Sequence, residues 1–146
     1  MSKPIITDEI ELRVRYAETD QMGIVYYGNY AQYFEVGRVE WLRKFGISYK
    51  SMEEQGVLLP VVSLNVRFKK SARYDDVVKV KTQLVKMPSA TIEFDYEITN
   101  EAGEILTLGN TVLVFMDVSK NRPTRCPKYL LDKLQDYSFK NFNSTP

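Results

Sequence analysis

From residue 10 the chain alternates. Ile10, Leu12, Val14 and Tyr16 share one parity, and Glu11, Arg13 and Arg15 the other. A period of two is that of a strand with one buried face. The period then changes. Tyr30, Tyr33, Phe34, Gly37, Trp41, Leu42 and Phe45 recur at helical spacing over residues 29–45. Val36 and Val39 widen that apolar stripe, which predicts a deeply buried helix. Gly37 in its middle costs about 1 kcal/mol relative to alanine, so close approach to a neighbouring backbone, most simply a sheet, is expected there. Asn29 suits an N-cap and Gly46 the residue beyond the C-terminus. Ser48 or Ser51 is expected to cap a second short helix running to Gln55 and closed by Gly56.

The rest of the chain keeps the strand period. Over 61–69, Val62, Leu64, Val66 and Phe68 alternate with Val61, Ser63, Asn65 and Arg67. Pro60 places the start of that strand late or at a sheet edge. Val78, Val80, Thr82 and Leu84 alternate with Lys79, Lys81 and Gln83, and Ala90, Ile92, Phe94, Tyr96 and Ile98 with Thr91, Glu93, Asp95, Glu97 and Thr99. Turns are expected at Asp75-Asp76, at Met87-Pro88-Ser89 and over 100–103. Lys79 and Lys81 set against Glu93, Asp95 and Glu97 support antiparallel pairing, each opposed pair contributing roughly 0.2–1 kcal/mol. Residues 104–117 read as a long last strand with a bulge at Gly109-Asn110. A short helix is expected over 127–137 and a frayed end over 138–146. One strand, one long helix and four strands on short turns make a two-layer α+β domain with a five-stranded antiparallel sheet. One helix cannot cover five long strands, so the surplus apolar surface predicts an oligomer.

Composition narrows the partners. The 146 residues fit one domain. A net charge of +1 supplies no field toward nucleic acid or an anionic membrane. No apolar run is long enough to span a bilayer, and the first ten residues lack the apolar core of a signal peptide. The single Cys126 has no internal disulfide partner, which points to a reducing, cytoplasmic setting. The chain has no histidine, so imidazole is excluded both as base and as metal ligand. With one cysteine, a zinc site of thiolates and imidazoles is excluded too. No glycine-rich phosphate-binding motif is present. Any catalysis runs on carboxylates, hydroxyls, amines and backbone dipoles, with no metal or cofactor expected.

Between the first strand and the long helix lies Y-A-E-T-D-Q-M-G-I-V-Y-Y-G-N-Y, residues 16–30. It holds the carboxylate Asp20 and the glycines Gly23 and Gly28 beside a helix N-terminus. On spacing alone Asp20 reads as a loop or capping carboxylate, and Glu18 as a solvated loop charge. The segment resembles the signature of the 4-hydroxybenzoyl-CoA thioesterase-like branch of the hotdog-fold acyl-CoA thioesterases. Residues 61–76, V-V-S-L-N-V-R-F-K-K-S-A-R-Y-D-D, are similar to the same family. The resemblance covers about residues 8–118. It implies a hotdog fold, a sheet wrapped around one long helix, with sites at subunit interfaces of dimers or tetramers. It implies hydrolysis of an acyl-CoA to a free acid and coenzyme A. Asp20 is then the nucleophile or general base, and the backbone at Tyr27 and Gly28 the oxyanion donor. Gly23, Val25, Tyr26, Ser63 and Asn65 are the candidate substrate-binding residues, although Ser63 and Asn65 read first as partners in a cross-strand hydrogen bond. Many relatives carry histidine at the Tyr27 position; a backbone N–H survives that change.

The chemistry suits a chain without imidazole. An aspartate needs no partner base to be ionised at neutral pH, and a thiolate leaves without a general acid. The remaining demand is oxyanion stabilisation, which helix-start N–H groups supply. Glu35 is a reserve carboxylate, because another hotdog branch uses a helix glutamate. Arg67, Lys69, Lys70, Arg73 and Lys86 form a scattered basic set that reads equally as solvated surface or as contacts to coenzyme A phosphates. Cys126 reads as a bystander. Two other readings stay open: a thioesterase for acyl groups on acyl carrier protein, and an idle module that binds acyl or aryl ligands. A dehydratase is disfavoured, since hotdog dehydratases rely on histidine.

Overall fold

The computed structural model describes residues 6–144, with side chains from 6 to 138. β1 (Ile6–Arg13) leads through a 3-10 turn (Tyr16–Glu18) to α1 (Asn29–Arg43) and α2 (Tyr49–Glu54). Then follow β2 (Val57–Leu58), β3 (Val61–Phe68), β4 (Val77–Leu84), β5 (Thr91–Thr99), β6 (Ile105–Asp117), β7 (Arg122–Thr124) and α3 (Lys128–Ser144). All strand pairs are antiparallel. The five long strands run in the order β1-β4-β5-β6-β3, and the short β2 and β7 pair with the end of β6. The architecture is α+β, an antiparallel sheet packed on a long helix.

Every residue of the predicted helical stripe is buried. A Cβ on Gly37 would stand 2.5 Å from Thr82 Oγ1 and 2.9 Å from a Val80 methyl carbon, so glycine is what lets α1 lie against β4. One turn earlier, Phe34 stacks on Tyr96 at a centroid distance of 4.4 Å and presses on Gly109. Gly109 therefore makes room for an aromatic ring. It sits in regular pairing with Tyr96 and Val66, and the expected bulge at Gly109-Asn110 is absent. The register shifts instead between Val61 and Ser63 and between Ile98 and Thr99. Trp41 is fully buried against Phe45 and Phe94 and donates from Nε1 to the Ile6 carbonyl at 3.3 Å.

Other expectations are corrected. β1 begins earlier and ends at Arg13, so Tyr16 leaves the sheet and is 78% exposed. Gly28, not Asn29, holds the N-cap position, and Asn29 opens the helix. Ser48 does cap α2, exchanging hydrogen bonds with Ser51. Lys81 faces Glu97 in the register, but the ion pair that forms runs from Lys79 to Glu9 of β1 at 3.8 Å. Glu93 and Asp95 take their hydrogen bonds from Asn110 Nδ2. The terminal helix extends to Ser144 rather than fraying after residue 137. With Leu130 and Leu134 fully buried, and Tyr137 edge-on to Phe45, α3 is a second helix that covers the end of α1.

The largest departure is β3. Its alternation predicts one buried face, yet only Val66 is even partly covered. Val61, Val62, Leu64 and Phe68 are all exposed, with Phe68 at 54%. Val36 on α1 is exposed as well, so the helix is buried on one side only.

Candidate active site

The segment after β1 folds into a small knot held by backbone hydrogen bonds. Val14 exchanges backbone hydrogen bonds with Asp75 and Asp76, which ties the knot's start to the turn before β4. After the 3-10 turn, Thr19 and Val25 pair as an isolated antiparallel bridge. Inside it the Asp20 N–H donates to the Ile24 carbonyl at 2.9 Å, and the Gly23 N–H to the Asp20 carbonyl at 3.0 Å. Gly23 turns the chain at φ +76°, a region that favours glycine. The Asp20 carboxylate accepts from the Met22 N–H at 2.8 Å, which fixes one oxygen and leaves the other toward solvent. Val25 N–H donates to the Ala72 carbonyl at 2.8 Å, and Tyr74 N–H to the Gly23 carbonyl at 3.2 Å. The loop is thus tied to the segment linking β3 and β4.

Asp20, Met22, Ile24, Val25, Tyr27, Tyr30, Phe68, Lys69, Lys70 and Ser71 line one open cleft of about 300 Å³. Asp20, Val25 and Tyr27 therefore meet. Tyr27 and Gly28 sit at the α1 N-terminus, and among the described residues neither backbone N–H has an acceptor. Those free donors stand at the positive end of the helix dipole, where developing negative charge is stabilised. The Tyr27 ring is 66% exposed and packs edge-on to Phe68 at 6.3 Å, so an aromatic wall adjoins the carboxylate. Tyr30 is buried, and its hydroxyl accepts from the Ala72 N–H at 3.2 Å.

Four of the candidate substrate residues stand elsewhere. Gly23 shapes the loop without lining the cleft, and the half-exposed Tyr26 packs beside Tyr27 at 4.6 Å without lining it. Asn65 lines a polar hollow on the helix-free face of the sheet with Arg67, Gln83, Asp95, Glu97 and Asn110. Ser63 shares the parity of Asn65 and is exposed. Both lie on the face away from α1, whereas Phe68 of the other parity reaches the cleft. Gly28 has φ −65°, which any residue adopts; its lack of a side chain only keeps the helix start open. Glu35 is on the outer surface of α1, away from the cleft. The basic set is divided. Lys69 and Lys70 line the cleft, Lys70 pairing with Glu104, while Arg67 lies on the opposite face.

Glu18 overturns its sequence reading. It is only 8% exposed. Its carboxylate accepts from Arg15 N–H at 2.8 Å, Arg15 Nε at 3.0 Å and the Tyr33 hydroxyl at 2.9 Å. Burial pushes the Glu18 carboxyl up. The hydrogen bonds from the Arg15 backbone, Tyr33 and the Arg15 guanidinium outweigh that and hold it below the usual range. Burial, and after it the hydrogen bond to Glu18 and the Glu18 charge, push the Tyr33 phenol well up. Arg15 is three positions away, but the partner that buries the carboxylate, Tyr33, is 15 positions away and has no local signal. Phe68, the last residue of β3, is a cleft residue to which the sequence assigned no part in the site.

Comparison with known proteins places this geometry. Residues 14–134 match the thioesterase-like superfamily. The chain belongs to that family. A Bacillus subtilis relative, YneP, named as a candidate acyl-CoA thioesterase, is 38% identical over 122 residues, covering 84% of this chain and 88% of its own. YbgC of Escherichia coli, an acyl-CoA thioester hydrolase, is 28% identical over 120 residues, covering 82% and 90%. The solved DHNA-CoA thioesterase of Staphylococcus aureus superposes with a TM-score of 0.82 at 40% identity, covering 94% of this chain and 91% of that one. The fold is the hotdog fold of these thioesterases. Among the described residues no cluster of three or more His, Cys, Asp or Glu forms a metal site, and no helix is long and apolar enough to cross a membrane.

Proposed function

We propose that this protein hydrolyses acyl-CoA thioesters, releasing the free carboxylic acid and coenzyme A, in the cleft of Asp20. The observation that carries this reading is a solvent-facing carboxylate sharing a cleft with Tyr27, where the backbone N–H groups of Tyr27 and Gly28, just ahead of α1, lack acceptors among the described residues. The thioester carbonyl oxygen takes those N–H groups at Tyr27 and Gly28. Asp20 either attacks the carbonyl carbon directly or removes a proton from a water that does so. The carbon–sulfur bond breaks and the sulfur departs as thiolate. In the direct route one water then cleaves the acyl-aspartate anhydride and restores the carboxylate. Removing one oxyanion donor typically costs about 10²–10³ in rate. Lys69 and Lys70 at the cleft favour an anionic carrier, and coenzyme A carries phosphates. Acyl carrier protein is the rival carrier, which a side-by-side assay of the two thioesters decides.

A thiol-release assay across short-chain, long-chain and aryl acyl-CoAs tests the reading; turnover of none of them overturns it. The protein adds little background to such an assay. Burial pushes the Cys126 thiol up to about 12, so native protein is expected to react with a thiol reagent far more slowly than unfolded protein.

The second part of the proposal is assembly. Val61, Val62, Leu64 and Phe68 leave an apolar strand edge open beside the cleft, a surface that invites pairing with another strand. A second copy of this chain covers it in the proposed state, as a dimer or tetramer. Light scattering after size exclusion is expected to give at least a dimer, and Leu64→Lys to shift it to monomer. A wild-type monomer at micromolar concentration counts against assembly through β3.

A further inference from the structure

Glu18 joins three separate parts of the molecule at one point. Its carboxylate holds Arg15, where the chain leaves β1, through two hydrogen bonds and an ion pair to Nη2 at 3.0 Å. It also holds the hydroxyl of Tyr33, one turn into α1 and buried. Its own carbonyl oxygen accepts from the Tyr26 N–H at 2.9 Å and from Asn29 Nδ2 at 2.8 Å, just before and at the helix start. Everything between these ties is the Asp20 hairpin, closed by the Thr19–Val25 bridge. Immediately after Tyr26 come the two N–H groups without acceptors. One residue thus clamps the two ends of the hairpin to each other and to α1.

We propose that Glu18 is the positioning residue of the site: clamped to Arg15, Tyr33 and the Tyr26 N–H, it fixes the Asp20 carboxylate relative to the N–H groups of Tyr27 and Gly28. The catalytic half of this statement rests on the thioesterase reading above; the structural half does not. Glu18 does not line the cleft. Its effect runs through geometry, and a misplacement of about 1 Å can cost about 10²-fold in rate. A glutamine there keeps the size. It loses the charge that draws the Arg15 guanidinium, and it turns an N–H₂ donor toward other donors. Tyr33→Phe removes a single hydroxyl from the same clamp and leaves the packing.

Two readouts test it on the folded protein. The first is kinetic, below the melting temperature of each variant. Glu18→Gln is expected to lower kcat roughly 10–100-fold with KM little changed, and Tyr33→Phe to do so less strongly. In an Asp20→Asn background, Glu18→Gln adds no further loss. The second is hydrogen exchange, which needs no substrate. In Glu18→Gln the amides of Asp20, Gly23 and Tyr26 are expected to exchange at least tenfold faster, while those of β5 keep their wild-type rates. Wild-type kcat in both variants, or exchange raised equally in hairpin and β5, overturns the inference and leaves Glu18 an ordinary stabilising contact. If the wild type releases no thiol from any acyl-CoA, the thioesterase reading fails, and the exchange pattern still decides the clamp.

Discussion

Asp20→Asn is expected to lower kcat for acyl-CoA hydrolysis by about 10²–10⁴, the usual contribution of a positioned acid–base group, and by more if the carboxylate attacks directly. KM and melting temperature should stay near wild type. The substitution is conservative in shape. Asparagine keeps an oxygen to accept from the Met22 N–H, and it is as good as aspartate in such a side-chain turn. What it removes is the charge, and with it both the nucleophile and the base. The chain offers no substitute: it lacks histidine, and Glu18 is buried and already bonded to Arg15 and Tyr33. A steady-state thiol-release measurement on purified, folded variant decides. Turnover equal to wild type removes Asp20 from the chemistry.

The largest stability effect is expected from Gly109→Ala. A Cβ there would lie 2.3 Å from Phe34 Cζ and 2.4 Å from Cε2. Neither side can retreat easily. The ring is fully buried and stacked on Tyr96, and Gly109 is paired on both edges of its strand. Overpacking of this kind costs about 1–3 kcal/mol or more, and this site belongs at the upper end. At roughly 2–4 °C per kcal/mol for a chain of this size, the melting temperature falls by roughly 6–12 °C. Gly28→Ala is the control, since a Cβ there meets only the Tyr26 ring at an ordinary 3.7 Å. Calorimetry on the two variants checks the pair. A Gly109→Ala protein that melts with the wild type contradicts the packing account.

The sequence was most legible where one local rule governs a position. The helical stripe from Tyr30 to Phe45 and the alternations of β4 and β5 follow from periodicity, and each buried what its pattern said. Gly37 was readable too, because an unpaired cost in a helix interior asks for a neighbour. Gly109 was misread as a bulge, since nothing near it in sequence announces the Phe34 ring 75 positions away. β3 failed for a different reason. Alternation tells which face is apolar and is silent on whether anything covers it. Glu18 failed because a carboxylate is assumed hydrated unless its donors are known, and one of them comes from the next element. For the cleft, the placement of Asp20 beside Tyr27 was legible from their closeness in the chain. The placement of Ser63 and Asn65 on the far face was legible in principle. They differ in parity from Phe68, and a strand sends alternate side chains to opposite faces.

The strand order has a consequence for how the chain finds this structure. β1 pairs only with β4, whose register partners lie 64 to 78 positions downstream, and β3 pairs only with β6. A ribosome extruding the chain therefore releases β1, the Asp20 hairpin, α1 and β3 before any of those strands has a long partner. The first sheet contact open to the nascent chain is β1 on β4, once Leu84 has emerged, and the β4–β5 hairpin follows. Until then the aromatic stripe of α1 has nothing to lie on. Folding waits on the last third of the chain, and refolding belongs with slow, high-contact-order topologies, in milliseconds to seconds.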